Sequence, residues 1–444
     1  MRRKLLMVSA LVIPAVAVSL VGMRALSKRD HSATVAATPL PDARATIADR
    51  QIQKAEARIR NLPSSPDGYT LLAGAYMLKA RETGDFGFNA RVESALKRAL
   101  EISPDDQTAI TLHATLQLTY HRFKEALDEA TKAQKSGLET PDIYGVMTDA
   151  QVELGDYAGA IKAAQKMMDL RPDSSAYSRV SYLRALHGDL EGAIEAMRVA
   201  VKAANPANAE NSGWYRVHLG LELMNAGRRE EAEREFDAAL QIFPAYHLAL
   251  AAKGRARVRA GDFDSAVELY RRAQERVPSP EIVIALGDLY AKLGRREEAK
   301  RQYELVEFIE GNSASAGTYS RQLALFWADH DTRLDEALEV MRRERALRTD
   351  IYTLDALAWC QYKKGQLADA RDSIEQAKRL GTRDARIFYH AGMIYDALGD
   401  RVNAAKYLKL ALNTDRSFDV LQAGVAQRKL DELARGSSAN SRRS

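Results

Sequence analysis

Between residues 47 and 434 the apolar positions recur three and four apart, the period of one helix face, and short breaks of glycine, proline and polar residues separate the runs. In the clearest run Val283, Leu286 and Tyr290 line one predicted helix, and Tyr303 and Val306 line the next. The breaks are periodic. A glycine stands five residues before an alanine at Gly155/Ala160, Gly188/Ala193, Gly227/Ala232, Gly261/Ala266, Gly294/Ala299, Gly365/Ala370 and Gly399/Ala404. These alanines recur at intervals of 33, 39, 34, 33, 71 and 34 residues, and the long interval holds one more copy, with Ala337 in the alanine place and Asp331 near the missing glycine. Twelve residues before each alanine comes a residue that is small in nearly every copy: Ala114, Thr148, Ser181, Gly220, Gly254, Gly287, Ala358 and Gly392, with Leu325 the exception.

The spacing predicts a helical hairpin repeated along the chain. One helix carries the small residue, glycine at positive φ ends it, and the second helix carries the alanine, so that two small side chains let the axes approach. Asp156, Asp189, Asp262 and Asp400 follow their glycines, where an acidic residue suits the start of the next helix. Pro104, Pro172, Pro244 and Pro278 close their copies, and Phe236, Tyr270 and Tyr303 supply an aromatic in the second helix. This set of positions resembles the tetratricopeptide repeat (TPR) family, with about ten repeats over residues 65–415. The pattern breaks in places: the first copy is stretched around Thr83 to Phe88, His121 replaces the second copy's glycine, and short inserts follow Asn205 and Gly311. A leading helix over 47–64 and a capping helix over 416–434 flank the array, and residues 435–444 read as a disordered basic tail.

The resemblance implies an all-α, right-handed superhelical solenoid in which the first helix of each hairpin lines a concave groove. The inward positions would be the residue after the small one, together with those four before and four after. This register places Asp149, Tyr182, Leu221, Arg255, Asp288, Phe326, Trp359 and Met393 at the groove's centre. Four residues earlier come Ser178, Val217, Ala251, Ile284, Gln322, Asp355 and Tyr389, and four later come Glu153, Leu186, Asn225, Arg259, Lys292, His330 and Lys363. The candidate partner-binding residues are therefore Tyr182, Arg255, Arg259, Lys292, Phe326, Trp359 and Tyr389. Aromatic side chains suit contact hot spots and equally suit packing between repeats. The arginines and lysine suit a carboxylate or acidic segment, or simply a solvated face neutralised by Asp264, Glu268 and Glu275. The lysine and asparagine clamp of chaperone-binding TPR domains has no match here.

At its start the chain has a basic end followed by an uncharged run from Leu5 to Met23, long enough as a helix to cross a bilayer. Residues 1–30 are expected to be a signal anchor, or a signal peptide if cleaved, with residues 31–46 as a flexible linker and the repeats on the outer side of the membrane. The whole resembles an exported or membrane-anchored bacterial TPR protein. Charge does not redirect this reading: the net +5 comes from +5 in residues 1–30 and +3 in the last ten, which leaves the repeat body at −3 and without net attraction for nucleic acid. The single cysteine, Cys360, sits in an apolar run and offers no disulfide or four-cysteine metal site. The eight histidines are scattered, and no phosphate loop, dinucleotide fingerprint or nucleophile elbow is present. No cofactor, metal or small-molecule substrate is expected. The expected function is a non-catalytic scaffold of the cell envelope that binds a protein or peptide; the alternatives are a structural subunit of a membrane assembly and the repeat subunit of a glycosyltransferase-type complex.

Overall fold

Every described element is a helix, and the order shows why. The computed structural model describes residues 46–315 and 321–441, which hold α1 (Ile47–Asn61), α2 (Pro66–Thr83), α3 (Phe88–Ile102), α4 (Gln107–Thr119), α5 (Phe123–Lys135), α6 (Pro141–Glu153), α7 (Tyr157–Leu170), α8 (Ser174–Leu186), α9 (Leu190–Ala203), α10 (Ala209–Asn225) and α11 (Arg229–Ile242). They continue with α12 (His247–Ala260), α13 (Phe263–Arg276), α14 (Pro280–Lys292), α15 (Arg296–Ser315), α16 (Arg321–Asp329), α17 (Leu334–Leu347), α18 (Ile351–Lys363), α19 (Leu367–Ala377), α20 (Ala385–Ala397), α21 (Arg401–Thr414) and α22 (Gln422–Ser441). From α2 to α21 the order is ten consecutive helix pairs. Residues 5–23, the proposed membrane segment, lie outside the described residues, and none of the described helices is long and apolar enough to cross a membrane.

The turns follow the predicted chemistry. All seven repeat glycines take φ between 73° and 79°, which places them in the left-handed region. Where the repeat lacks its glycine, another residue is forced into the same conformation: His121 has φ 57° and Asp331 φ 54°, at a cost of about 1 kcal/mol or more each. The aspartates after the glycines are N-caps. Asp156 accepts from the Gly159 N–H (2.9 Å), Asp189 from Gly192 (3.0 Å), Asp262 from Ser265 (3.2 Å) and Asp400 from Asn403 (3.0 Å), each satisfying a donor otherwise left open at a helix start.

Within a hairpin the small residue receives the large side chain of the second helix. A Cβ added at Gly287 would lie 2.6 Å from the Tyr303 ring, and one at Gly392 would lie 2.7 Å from Leu408. A side chain at these two glycines would press the helices apart, and a bulky one would do so in any copy, which explains the small residue at this place in nearly every one.

The described chain forms two compact units, residues 46–116 and 117–441. In the first, Thr46 caps α1 through a reciprocal bond with Asp49, and Lys79 of α2 pairs with Asp49 at 2.7 Å. In the second, eight successive hairpins from α6/α7 to α20/α21 pack in order. The expected capping helix begins at Gln422 rather than 416, because residues 415–421 take an irregular path described below, and it continues to Ser441 past the boundary drawn at 434.

Candidate functional site

The first helices of successive hairpins in unit 117–441 enclose a cavity of about 630 Å³, within the ~300–1,000 Å³ range usual for ligand sites. Its wall includes Val217 and Leu221 of α10, Ala251 and Arg255 of α12, Ile284 and Asp288 of α14, Gln322 and Phe326 of α16, and Asp355 of α18. These occupy the inward register expected from the sequence.

The seven candidate residues divide into three groups. Arg255, Arg259 and Phe326 line the cavity. Phe326 is 6% exposed, its ring 5.4 Å from Tyr303 and 4.6 Å from His330. Lys292 is exposed at the end of α14 and is not part of the wall. Trp359, Tyr389 and Tyr182 lie elsewhere. Trp359 is buried among α16, α18 and α20, with its Nε1 donating to Asp329 at 2.8 Å and its ring stacked on His390 at 4.2 Å. Tyr389 is buried too, because its ring faces Phe418 at 5.2 Å and its hydroxyl donates to Gln422 at 2.8 Å. Neither ring is open to a partner. Tyr182 is partly buried beside the hydrophobic cluster that joins two distant parts of the unit.

Chain from the connection between α21 and α22 forms one side of the cavity. Asp415 pairs with Arg259 at 2.5 Å, Asp419 pairs with Arg386 at 3.3 Å, and the Gln422 amide donates to the Asp329 carbonyl at 3.3 Å. Val420 packs against the cluster that contains Leu250, Leu286 and Leu289. At Asp329 the surroundings disfavour charge, because burial pushes it up against the opposing pull of Arg386. Burial, with Arg255 nearby, brings Arg259 down to about 10 although Asp415 opposes the shift. For His330, burial is the largest influence and disfavours the charged ring, yet the hydrogen bond from Nε2 to Asp288 (2.9 Å), the Asp288 charge, the Phe326 carbonyl and Asp329 together raise its pKa.

A second closure lies at the other side of unit 117–441. The Thr349 N–H donates to the Glu153 carbonyl (2.9 Å), the Thr349 hydroxyl to the Leu154 carbonyl (2.6 Å), and the Ile351 N–H to the Tyr157 hydroxyl (3.0 Å), across 194 to 196 residues of sequence. The Thr382 hydroxyl donates to the Leu186 carbonyl over the same span. Val152, Tyr157, Val180, Leu183 and Leu186 share one apolar cluster with Ile351, Leu354, Ile374, Ile387 and Ile394. Charges are buried in this seam: Arg348, 1% exposed, pairs with Glu153 at 3.1 Å and Glu344 at 2.5 Å, and Arg321 pairs with Asp350 at 3.1 Å. Burial, followed by the nearby Asp350, pushes Glu153 up to about 7 in spite of Arg348. His121, its Nδ1 buried without a hydrogen-bond partner, is held down to about 3 by burial and then by Arg348 and Arg321.

Family profiles of the tetratricopeptide repeat match residues 147–209 and 218–281, and others match 280–306 and 385–418. These segments are tetratricopeptide repeats. TPR similarity extends to the Superkiller complex protein 3 of Mus musculus, 27% identical over 265 residues, 57% of this chain and 16% of that protein. It extends also to Protein O-mannosyl-transferase TMTC1 of Homo sapiens, 25% identical over 227 residues, 49% of this chain and 24% of that one. The chain thus spans less than a quarter of either relative's length. Among solved structures, yeast Tom70 aligns over 87% of this chain and 96% of its own at 14% identity, with a TM-score of 0.38.

The TPR register identified the cavity wall but missed the seam and the segment 415–421. The seam joins residues 194 to 196 positions apart, and the segment reaches from Arg386, 33 positions away, to Arg259, 156 away, contacts for which a repeat pattern carries no signal. One local cue was present: the connection between α21 and α22 is seven residues long, where that between α13 and α14 is three.

Proposed function

We propose that this chain is a non-catalytic interaction scaffold that takes a segment of a partner protein into the TPR cavity, held at a membrane by residues 5–23 with the repeats on its outer side. The observation that carries the reading is Arg255. It is exposed to the cavity at the inward register and, among the described residues, makes no ion pair. A cation left unpaired on the wall of a cavity suits recognition of a carboxylate. The enzymatic reading lacks comparable support. The best acid–base pair, His390 with Asp355 at 2.9 Å, is buried, and among the described residues no hydroxyl or thiol hydrogen-bonds to His390. Burial also pushes the Cys360 thiol far up, away from the reactive thiolate.

The test is capture of partners from the protein's own membranes with the full chain, Arg255→Glu and Val402→Glu, followed by titration of any captured protein with purified variants. Loss of binding in Arg255→Glu alone supports the cavity. Loss in Val402→Glu alone, where Val402 is 80% exposed on the last hairpin, moves the binding surface outside it. That result would favour the second reading, a structural subunit of a membrane assembly.

A further inference from the structure

The cavity already holds a piece of the chain, and the manner of its holding indicates what else fits. In Asp415–Val420 two carboxylates flank an aromatic ring, and each of the three meets a matched group: Arg259, Tyr389 and Arg386. Two further arginines line the same space, Arg255 one turn before Arg259 and Arg383 three residues before Arg386. Both are exposed to it, and among the described residues neither makes an ion pair. Seven carboxylates and five arginines line the filled cavity. Withdrawal of the segment removes two of those carboxylates, Asp415 and Asp419, so that five carboxylates face five arginines; Arg259 loses its ion pair and Arg386 keeps only Asp329 at 3.9 Å. The vacated positions beside Arg259 and Arg386, with Arg255 and Arg383 near them, are then complementary to acid.

We propose that residues 415–420 are a self-ligand, and that the natural occupant is an acidic peptide segment with an aromatic residue between its carboxylates, which displaces them. The proposal rests on the cavity being the recognition site. Its two ion pairs are unequal. Arg259 and Asp415 are 7% and 10% exposed, whereas Arg386 on the Asp419 side is 39% exposed, so release begins at Asp419. A competitor tethered within the chain lowers apparent affinity by the fraction of time it leaves the site open.

The probe is a fluorescein-labelled peptide of this chain's own residues 414–421, TDRSFDVL, titrated by anisotropy against the full chain and its Asp415→Ala/Asp419→Ala variant, with helicity and thermal midpoint checked for both. The variant is expected to bind at least about tenfold more tightly than the unaltered chain, and adding Arg386→Ala should remove the gain. Equal binding to both chains, or equal binding of a scrambled peptide, would overturn the proposal. A measurement on the unaltered chain guards against misfolding: the amides of residues 417–421 should exchange with solvent at least about tenfold faster than those of Ala404–Leu412, through local opening. Exchange at the rate of α21 would make the segment a fixed strut and sink the self-ligand. If the peptide fails while Arg255→Glu still loses the captured partner, cavity recognition stands without this occupant.

Discussion

Unit 117–441 closes on itself twice, and the two closures are built differently. The seam between residues 153–188 and 348–382 is sealed by backbone hydrogen bonds, an apolar cluster and an arginine 1% exposed between two glutamates. The contact of residues 415–422 with α12, α14, α16 and α20 rests on two ion pairs, one ring contact, hydrogen bonds of the Gln422 side chain and the packing of Val420; its Arg259–Asp415 pair is buried, whereas Arg386 is 39% exposed. A buried charge left without its partner is costly, whereas an exposed pair exchanges with water at little expense. Among the described residues the seam therefore has no exposed ion pair at which opening could start, whereas the segment has one, at Asp419.

The contrast is broken most directly at Arg348. Arg348→Ala leaves Glu153 and Glu344 facing each other in the seam and is expected to cost about 3–5 kcal/mol, read from urea unfolding. Tyr157→Phe removes the acceptor of the buried Ile351 N–H and should cost about 1–3 kcal/mol by the same assay. Glu153 adds a pH dependence of the opposite sense to ordinary acid denaturation. Its folded-state pKa is raised from 4.5 to about 7, so its contribution is fully present below pH 4.5 and is lost as pH rises through 7. Glu222, which burial also pushes up to about 7, works in the same direction. Glu153→Gln should therefore flatten the decline in stability between pH 5 and pH 8 by on the order of 1 kcal/mol, and an unchanged slope would remove Glu153 from the account. Asp419→Ala is the mildest truncation, about 1–2 kcal/mol, because Arg386 is partly solvated and keeps Asp329, so the main loss is the acceptor for the Leu421 and Gln422 N–H groups. A loss as large as that of Arg348→Ala would erase the distinction between the two closures.

What the sequence revealed and what it withheld follow the range of the interactions. Glycine at positive φ, aspartate at the helix start and the small residue opposite a large one each act within a single hairpin. Gly155, Asp156 and Gly287 could accordingly be assigned their structural roles from spacing alone. Asp331 was placed near a missing glycine from periodicity, and the structure finds it in the conformation glycine would have supplied. The inward register recovered Leu221, Arg255, Asp288 and Phe326 because groove direction is a local property of each first helix. Burial of Trp359 and Tyr389 was not readable that way. Their surroundings come from neighbouring repeats and from residues 415–422, and those depend on how far the array turns before meeting itself. Glu153 and Leu186 show the same limit: the register sets them on the open groove, and nothing in their own hairpins signals the residues 195 positions on, such as Arg348, that bury them.

The seam also changes how this array should respond to force. An open row of repeats comes apart from its ends, each unit lost at the expense of one neighbour. Here α6 to α8 are fastened to α18 to α20, so the hairpins between them form a clasped loop rather than a row. Pulled from its two termini, the stretch from α8 to α18 should stay shielded until the clasp itself gives way, and its extension should then appear as one long step instead of a staircase of single repeats.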